Sequence, residues 1–134
     1  MAVIKRETRD ILSGEDVVLI RQRAREFAVA SGFSLVEQTK LVTAASELAR
    51  NVVQYGGGGK CHIEALNDGA KRGVRLIFED QGPGIADIEQ ALRDGYTSGG
   101  GLGLGLGGAR RLVNQFDIQS RPGEGTRIAI ARWK

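Results

Sequence analysis

A glycine-rich segment is the first part of this sequence that could do chemistry. Seven of the ten residues from Gly99 to Gly108 are glycine, and a helix-like run, Ala109 to Gln115, follows directly. Glycine lets backbone N–H groups approach an oxyanion closely, and a following helix offers unpaired N–H groups and the positive end of its dipole. Leucine spacers distinguish the segment from a flexible linker, which is normally rich in serine. The segment therefore predicts a phosphate-binding loop.

Three kinds of phosphate-binding loop have a glycine-rich sequence of this type, and each requires different flanking sequence. A Walker A loop closes on Gly-Lys-Ser or Gly-Lys-Thr, whereas Gly107 and Gly108 are followed by Ala109. A dinucleotide fingerprint matches the glycine spacing but must follow a buried strand, and the preceding segment 93–98 is polar. The third kind is a lid that folds over a triphosphate, and it requires two further motifs upstream.

The first upstream motif places a carboxylate and an amide on one face of a predicted helix. Apolar residues recur at helical spacing between Leu41 and Tyr55. Glu47 and Asn51 are four residues apart and therefore point into the same space. A carboxylate can take a proton from an attacking hydroxyl or water, and an amide oxygen suits Mg²⁺. A solvated stripe on an amphipathic helix would show the same spacing, so that alternative stays open here.

The second upstream motif brings another carboxylate to the end of a predicted strand. Apolar residues alternate from Val74 to Phe78, and Asp80 continues the same face. A carboxylate above an apolar floor suits a purine, whose exocyclic amine is a donor and whose ring faces are apolar. Gly82 and Gly84 then permit close approach of the backbone to a ligand. A plain turn built from Asp, Gly and Pro is the alternative.

The order of these motifs resembles the GHKL ATP-binding fold. That superfamily includes gyrase-type ATPases, the Hsp90 and MutL ATPases, histidine-kinase catalytic domains and anti-sigma-factor serine kinases. The helix with Glu47 and Asn51 comes first, then Asp80-x-Gly82-x-Gly84-Ile85, then Gly101-x-Gly103-x-Gly105. Gly125-Thr126 ahead of the final predicted strand is a further point of similarity.

Within that superfamily, the sequence is most similar to the stressosome switch kinases of the RsbT type. Gly32-Phe33 and the run from Glu37 to Asn51 carry this similarity, and a chain of 134 residues is expected to be one domain, 1–134. The resemblance implies that ATP and Mg²⁺ are used to phosphorylate a serine on a small STAS-domain antagonist. It further implies that the released kinase activates a PP2C-type phosphatase. The sibling RsbW type instead sequesters a sigma factor, and this alternative stays open.

The resemblance also implies roles for individual residues. Glu47 would be the general base for the acceptor hydroxyl, and Asn51 would be the Mg²⁺ ligand. Asp80 would bind the adenine amino group, and Thr126 would assist through a water. The remaining residues implied for nucleotide binding shape the adenine pocket or wrap the phosphates, and they are Gly82, Gly84, Ile85, Gly101, Leu102, Gly103, Leu104, Gly105 and Gly107.

Three arginines near these motifs have less specific predictions. Arg50 neighbours the row formed by Glu47 and Asn51 without sharing its direction, and we expect it at a contact with a protein partner. Arg110 and Arg111 lie one turn inside the helix after the glycine-rich segment, where they contact phosphate, a protein partner or only solvent.

The remaining periodicity predicts an α/β (α+β) two-layer sandwich, with helices on one face of a mixed, largely antiparallel sheet. The predicted strands are 3–12, 60–67, 73–80, 116–120 and 126–133, and the other predicted helices are 16–30, 35–55 and 87–93.

Charge and composition argue against nucleic-acid and membrane partners. The formal net charge is +3, and the basic pairs are scattered through the chain without interleaved aromatics. Neither a signal peptide nor an apolar run long enough to cross a bilayer is present, and the single cysteine, Cys61, cannot form an internal disulfide. These features predict a cytoplasmic protein.

Overall fold

The computed structural model describes residues 1–93 and 105–134, which form a five-stranded sheet with helices packed on one face. The strands lie in the order β1-β2-β3-β5-β4, and every neighbouring pair among them is antiparallel. The two-layer sandwich is therefore confirmed, whereas the described strands contain no parallel pair of the kind expected in a mixed sheet. The elements are β1 (Ala2–Ile11), α1 (Gly14–Ala30), α2 (Leu35–Gln54), β2 (Gly59–Asp68), β3 (Lys71–Asp80), α3 (Ile88–Ala91), α4 (Gly105–Arg111), β4 (Gln115–Ser120) and β5 (Thr126–Trp133).

Alternation along the strands gives the sheet an apolar face and a polar face. Ile63, Leu76 and Ile130 pair across β2, β3 and β5 and are fully buried in the core under the helices. Their neighbours point the other way, where the Glu64 carboxylate accepts a hydrogen bond from Arg75 Nε at 2.6 Å. Because side chains alternate with a period of two, the apolar face continues along β3 to Asp80 at the strand's end.

A capping box fixes the start of α2. The Ser34 hydroxyl accepts a hydrogen bond from the Glu37 N–H at 3.2 Å, and the Glu37 carboxylate accepts one from the Ser34 N–H at 2.8 Å. The latter bond lowers the pKa of Glu37. Leu41 and Leu48 then anchor the helix in the core. Fixing both the start and the buried face decides which residues of α2 face away from the core.

The helix after the glycine-rich segment differs from the prediction. We predicted a helix over 109–115, but α4 spans Gly105–Arg111 and Gln115 belongs to β4. Glycine is a poor helix former, so the glycine-rich stretch was not expected to be helical. Tertiary packing overrides that preference: Leu106 is buried, and a Cβ atom on Gly107 would overlap the carbonyl oxygen of Leu92.

The other element boundaries lie within two residues of the predicted ones. Gly32 ends the α1 segment with φ +82°, and Gly69 turns β2 into β3 with φ +63°. These are left-handed conformations that glycine adopts without steric cost. In the described ranges, no helix combines the length and the apolar character needed to cross a membrane.

Candidate nucleotide-binding site

A cleft of about 540 Å³ opens beside the C-terminal half of α2, the end of β3 and the first turn of α4. That volume is typical of a small-molecule site, and Phe78 and Ile128 give it an apolar floor. The structure brings residues from all the predicted motifs to this one cleft. The predicted site residues that line it are Glu47, Asn51, Asp80, Gly84, Ile85, Gly105 and Thr126.

Glu47 and Asn51 lie on the cleft-facing side of α2. Their spacing of four residues corresponds to a rise of about 6 Å along the helix. Glu47 is only 6% exposed, so the alternative of an ordinary solvated stripe does not apply to this carboxylate. A charged group is rarely buried unless it is paired and hydrogen-bonded, and Glu47 therefore requires partners.

The Glu47 carboxylate has a partner on each oxygen. Oε1 accepts a hydrogen bond from the backbone N–H of Gly105 at 3.1 Å. Oε2 lies 3.5 Å from Nη1 of Arg50, one turn further along α2. An ionised carboxylate offers about four lone-pair positions, so two positions remain for other hydrogen bonds. Glu47 is thus held in place without losing its capacity to accept a proton.

Asp80 lies at the opposite end of the cleft, where glycines allow close packing. Its Oδ1 accepts a hydrogen bond from the Gly82 N–H at 2.9 Å. A Cβ atom on Gly56 would lie 2.5 Å from the Asp80 carboxyl carbon, and one on Gly82 would lie 2.7 Å from the Gly56 Cα. Gly82 thus packs against the backbone of Gly56 and is not among the described residues that line the cleft. The sequence prediction missed Gly56, for which the run of four glycines after α2 was the available signal.

Ser120, which the sequence prediction also missed, ties three parts of the site together. Its hydroxyl donates to the Gly125 carbonyl at 3.0 Å and accepts from the Ile85 N–H at 2.8 Å. It also lies 2.7 Å from the Thr126 hydroxyl. Either hydroxyl can donate in the last contact, and in both arrangements Thr126 keeps at least one acceptor lone pair. Thr126 lines the cleft beside the Asp80 carboxylate, which lies opposite it in the β3–β5 pairing.

Gly84 is required by its backbone and by its surroundings. Its φ of +77° lies in the left-handed region, and a Cβ atom here would overlap the carbonyl oxygen of Arg121. Nearby, the Pro83 carbonyl accepts a hydrogen bond from the Gly123 N–H at 2.7 Å. The β4–β5 turn therefore packs against the loop that follows β3 and holds Pro83 and Gly84 in one wall of the cleft.

Only part of the predicted phosphate loop belongs to the described structure. Gly101, Leu102, Gly103 and Leu104 lie outside the described residues. Gly105 begins α4 and lines the cleft, whereas Gly107 packs against the backbone of Leu92. Because Leu92 directly follows α3, the position of Gly107 serves the packing of α4 against the end of α3.

The three arginines fall into two groups. Arg50, which we expected at a partner contact, lines the cleft beside Glu47. Arg110 and Arg111 are exposed on α4, and neither is among the described residues that line this cleft.

The donor set of the cleft fits Mg²⁺ carried by a nucleotide. The described ranges contain no cluster of three or more His, Cys, Asp or Glu side chains that could hold an ion by themselves. Mg²⁺ is usually bound through one or two protein oxygens together with substrate phosphates and waters. The Asn51 amide oxygen, one helical turn from Glu47, can supply such a ligand.

Comparison with known families places this cleft in context. Residues 36–134 match the family described as histidine kinase-, DNA gyrase B- and HSP90-like ATPase. The serine/threonine-protein kinase RsbT of Bacillus subtilis is 46% identical over 123 residues, which cover 92% of each chain. An anti-sigma F factor of Clostridium kluyveri is 31% identical over 103 residues, covering 74% of this chain and 72% of that protein.

Two solved structures share the fold at low sequence identity. The RsbU and RsbW domains of Rv1364c from Mycobacterium tuberculosis match with a TM-score of 0.63 and 21% identity, covering 94% of this chain and 32% of that one. The mycobacterial sensor histidine kinase MprB matches with a TM-score of 0.55 and 18% identity, covering 96% and 97% of the two chains. The family match and the identity to RsbT show that the chain belongs to the histidine kinase-, DNA gyrase B- and HSP90-like ATPase family and, within it, to the RsbT-type serine/threonine-protein kinases.

Proposed function

We propose that this chain transfers the γ-phosphate of Mg-ATP to a serine on a small STAS-domain protein, an antagonist or scaffold of a stressosome-type partner switch. In the same proposal, the kinase released from that partner activates a PP2C-type phosphatase. The identity to RsbT across nearly the whole of both chains supports this function. Its structural support is a buried carboxylate, Glu47, that faces the same cleft as Asn51 and Asp80.

The two ends of the cleft suggest how ATP lies in it. Asp80 and Thr126 offer adjacent acceptors, which suit the exocyclic amine of adenine. Gly56, which packs against Asp80, follows the last turn of α2. Glu47 lies about 12 Å back along that helix from Tyr55, at 1.5 Å per residue. With adenine at Asp80, the triphosphate extends along α2 toward Glu47.

The chemistry of the proposed transfer falls mainly on Glu47. As the acceptor oxygen bonds to the γ-phosphorus, the bond from phosphorus to the ADP oxygen breaks, and the hydroxyl proton passes to the Glu47 carboxylate. Mg²⁺, when bound through Asn51, supplies neutralisation of the phosphate charge. Phosphoryl transfer depends on positioning and charge stabilisation more than on covalent chemistry. A single well-placed base therefore suffices on the protein side.

The test is transfer of labelled γ-phosphate from Mg-ATP to a STAS-domain protein encoded beside this chain. Glu47→Ala should slow the transfer by about 10² to 10⁴, the usual contribution of a general base, while ATP affinity stays near normal. Glu47→Gln is the matched variant, because it keeps the shape of the side chain and removes the proton acceptor. An unchanged turnover in both variants would remove Glu47 from the mechanism.

A second function has support from the anti-sigma F relative. If ATP binds tightly and no phosphate moves to the STAS protein, the chain is better described as a nucleotide-dependent module that sequesters a sigma factor. Co-purification with a sigma factor in the presence of ATP, and loss of that complex without it, would then establish the alternative.

A further inference from the structure

Arg50 is a charged residue beside Glu47 that has no role in the proposed reaction as described above. It is three residues from Glu47 on α2, and Nη1 lies 3.5 Å from Oε2. Glu47 is nearly inaccessible, whereas the Arg50 side chain is 45% exposed at the cleft. The ion pair therefore links the buried Glu47 carboxylate to the partly exposed Arg50 guanidinium, which lines the cleft.

The exposure of Arg50 limits how much this pair stabilises the fold. An ion pair with a solvated member is weakened by solvent screening. Replacing Arg50 also leaves Glu47 its hydrogen bond from the Gly105 N–H. A guanidinium is suited to orient a planar carboxylate, because its donors have a rigid geometry.

The second contact on Glu47 makes the orientation specific. The Gly105 N–H holds Oε1, and Arg50 reaches Oε2, so the two contacts restrain both oxygens from different elements. The lone-pair positions that remain are available to a hydroxyl entering from the cleft. Without Arg50, the carboxylate would keep one backbone contact and could rotate about it.

We propose that Arg50 is a positioning residue for phosphoryl transfer: together with the Gly105 amide, it holds the Glu47 carboxylate where it accepts the proton of the acceptor hydroxyl. This inference rests on the proposed kinase function. It replaces the expected partner contact of Arg50 with a role exerted through Glu47.

The experiment compares Arg50→Ala and Arg50→Lys with Arg21→Ala, an exposed arginine on α1 that serves as the control. Transfer to the STAS protein is measured at saturating ATP and acceptor, and ATP affinity and thermal stability are measured separately. Arg50→Ala should lower kcat by about 10- to 100-fold, the scale of a misplaced reacting group, with the Kd for ATP within about twofold. Arg50→Lys keeps a cation and should recover part of the loss, and Arg21→Ala should resemble the wild type.

A double-mutant cycle with Glu47→Gln decides whether Arg50 acts through Glu47. In the Gln background, Arg50→Ala should cost less than about twofold, because the group that it positions has lost its function. Equal losses in both backgrounds would overturn the proposal. A rise in the Kd for ATP with kcat unchanged would make Arg50 a phosphate contact, and a rise only in the acceptor KM would make it a partner contact.

Failure of the kinase function would look different. If the wild type itself transfers no phosphate, the proposed function and this inference both fall. If the wild type is active and Arg50→Ala is equally active, only the inference about Arg50 falls.

Discussion

Asp80→Asn is the substitution that most directly tests how the cleft recognises a base. The change keeps the size of the side chain, and the Asn oxygen can still accept the hydrogen bond that Asp80 Oδ1 receives from the Gly82 N–H at 2.9 Å. With the oxygen held there, the amide NH₂ occupies the place of Oδ2. A donor then faces the exocyclic amine of adenine, which is also a donor.

The size of the effect follows from the bond that is lost. A hydrogen bond to a charged group contributes about 1.5–3 kcal/mol, and each 1.4 kcal/mol corresponds to a tenfold change in Kd. We therefore expect ATP to bind roughly 10- to 150-fold more weakly. Inosine triphosphate, which carries a carbonyl at the position of the amine, should show the opposite trend, because the Asn NH₂ can donate to that oxygen.

The assay is a calorimetric titration of wild type and Asp80→Asn with ATP and with inosine triphosphate. Asp117→Asn is the matched control, because it makes the same change of charge on an exposed residue of β4. Thermal melting checks that each variant is folded. Equal ATP affinity in wild type and Asp80→Asn, or equal weakening of both nucleotides, would refute the assignment of Asp80 to the adenine amine.

Two further predictions concern hydrogen bonds and ion pairs that support the site and the fold. Ser120→Ala leaves the Ile85 N–H and the Thr126 hydroxyl without their partner, so the Kd for ATP should rise by roughly tenfold or more, whereas Ser120→Thr should bind normally. Equal affinities in a titration would contradict this arrangement. The Arg23 guanidinium lowers the pKa of Glu7 from 4.5 to about 2. Ionised Glu7 therefore contributes at most about 3 kcal/mol to the free energy of unfolding above pH 4.5, and this contribution is lost as the pH falls toward 2. Urea unfolding across this range should show a flatter pH dependence of the free energy of unfolding in Glu7→Gln than in the wild type.

The chemistry-bearing motifs were predictable because each depends on a short stretch of chain. A helical period places Glu47 and Asn51 on one face, and a strand period places Asp80 on the face that carries Phe78. Once the helix or the strand has formed, these periods follow from its local geometry alone. The order of the motifs then sufficed for the resemblance to the ATPase fold, which the match over residues 36–134 confirms.

The missed features depend on contacts between segments far apart in sequence. Ser120 meets Ile85 only because the β4–β5 turn folds over the loop after β3. The start of α4 at Gly105 depends on packing against α2 and α3.

Local patterns thus specified which side chains could do chemistry and which elements carry them. The partners of those side chains were decided by tertiary structure. Arg50 illustrates the division: its position on α2 was evident, but the positioning role proposed for it depends on the burial of Glu47 and on the Gly105 amide, which is 58 residues from Glu47 in sequence. A lone pair or an N–H group finds its partner in three dimensions, and helical or strand periodicity carries no information about which distant segment will supply it.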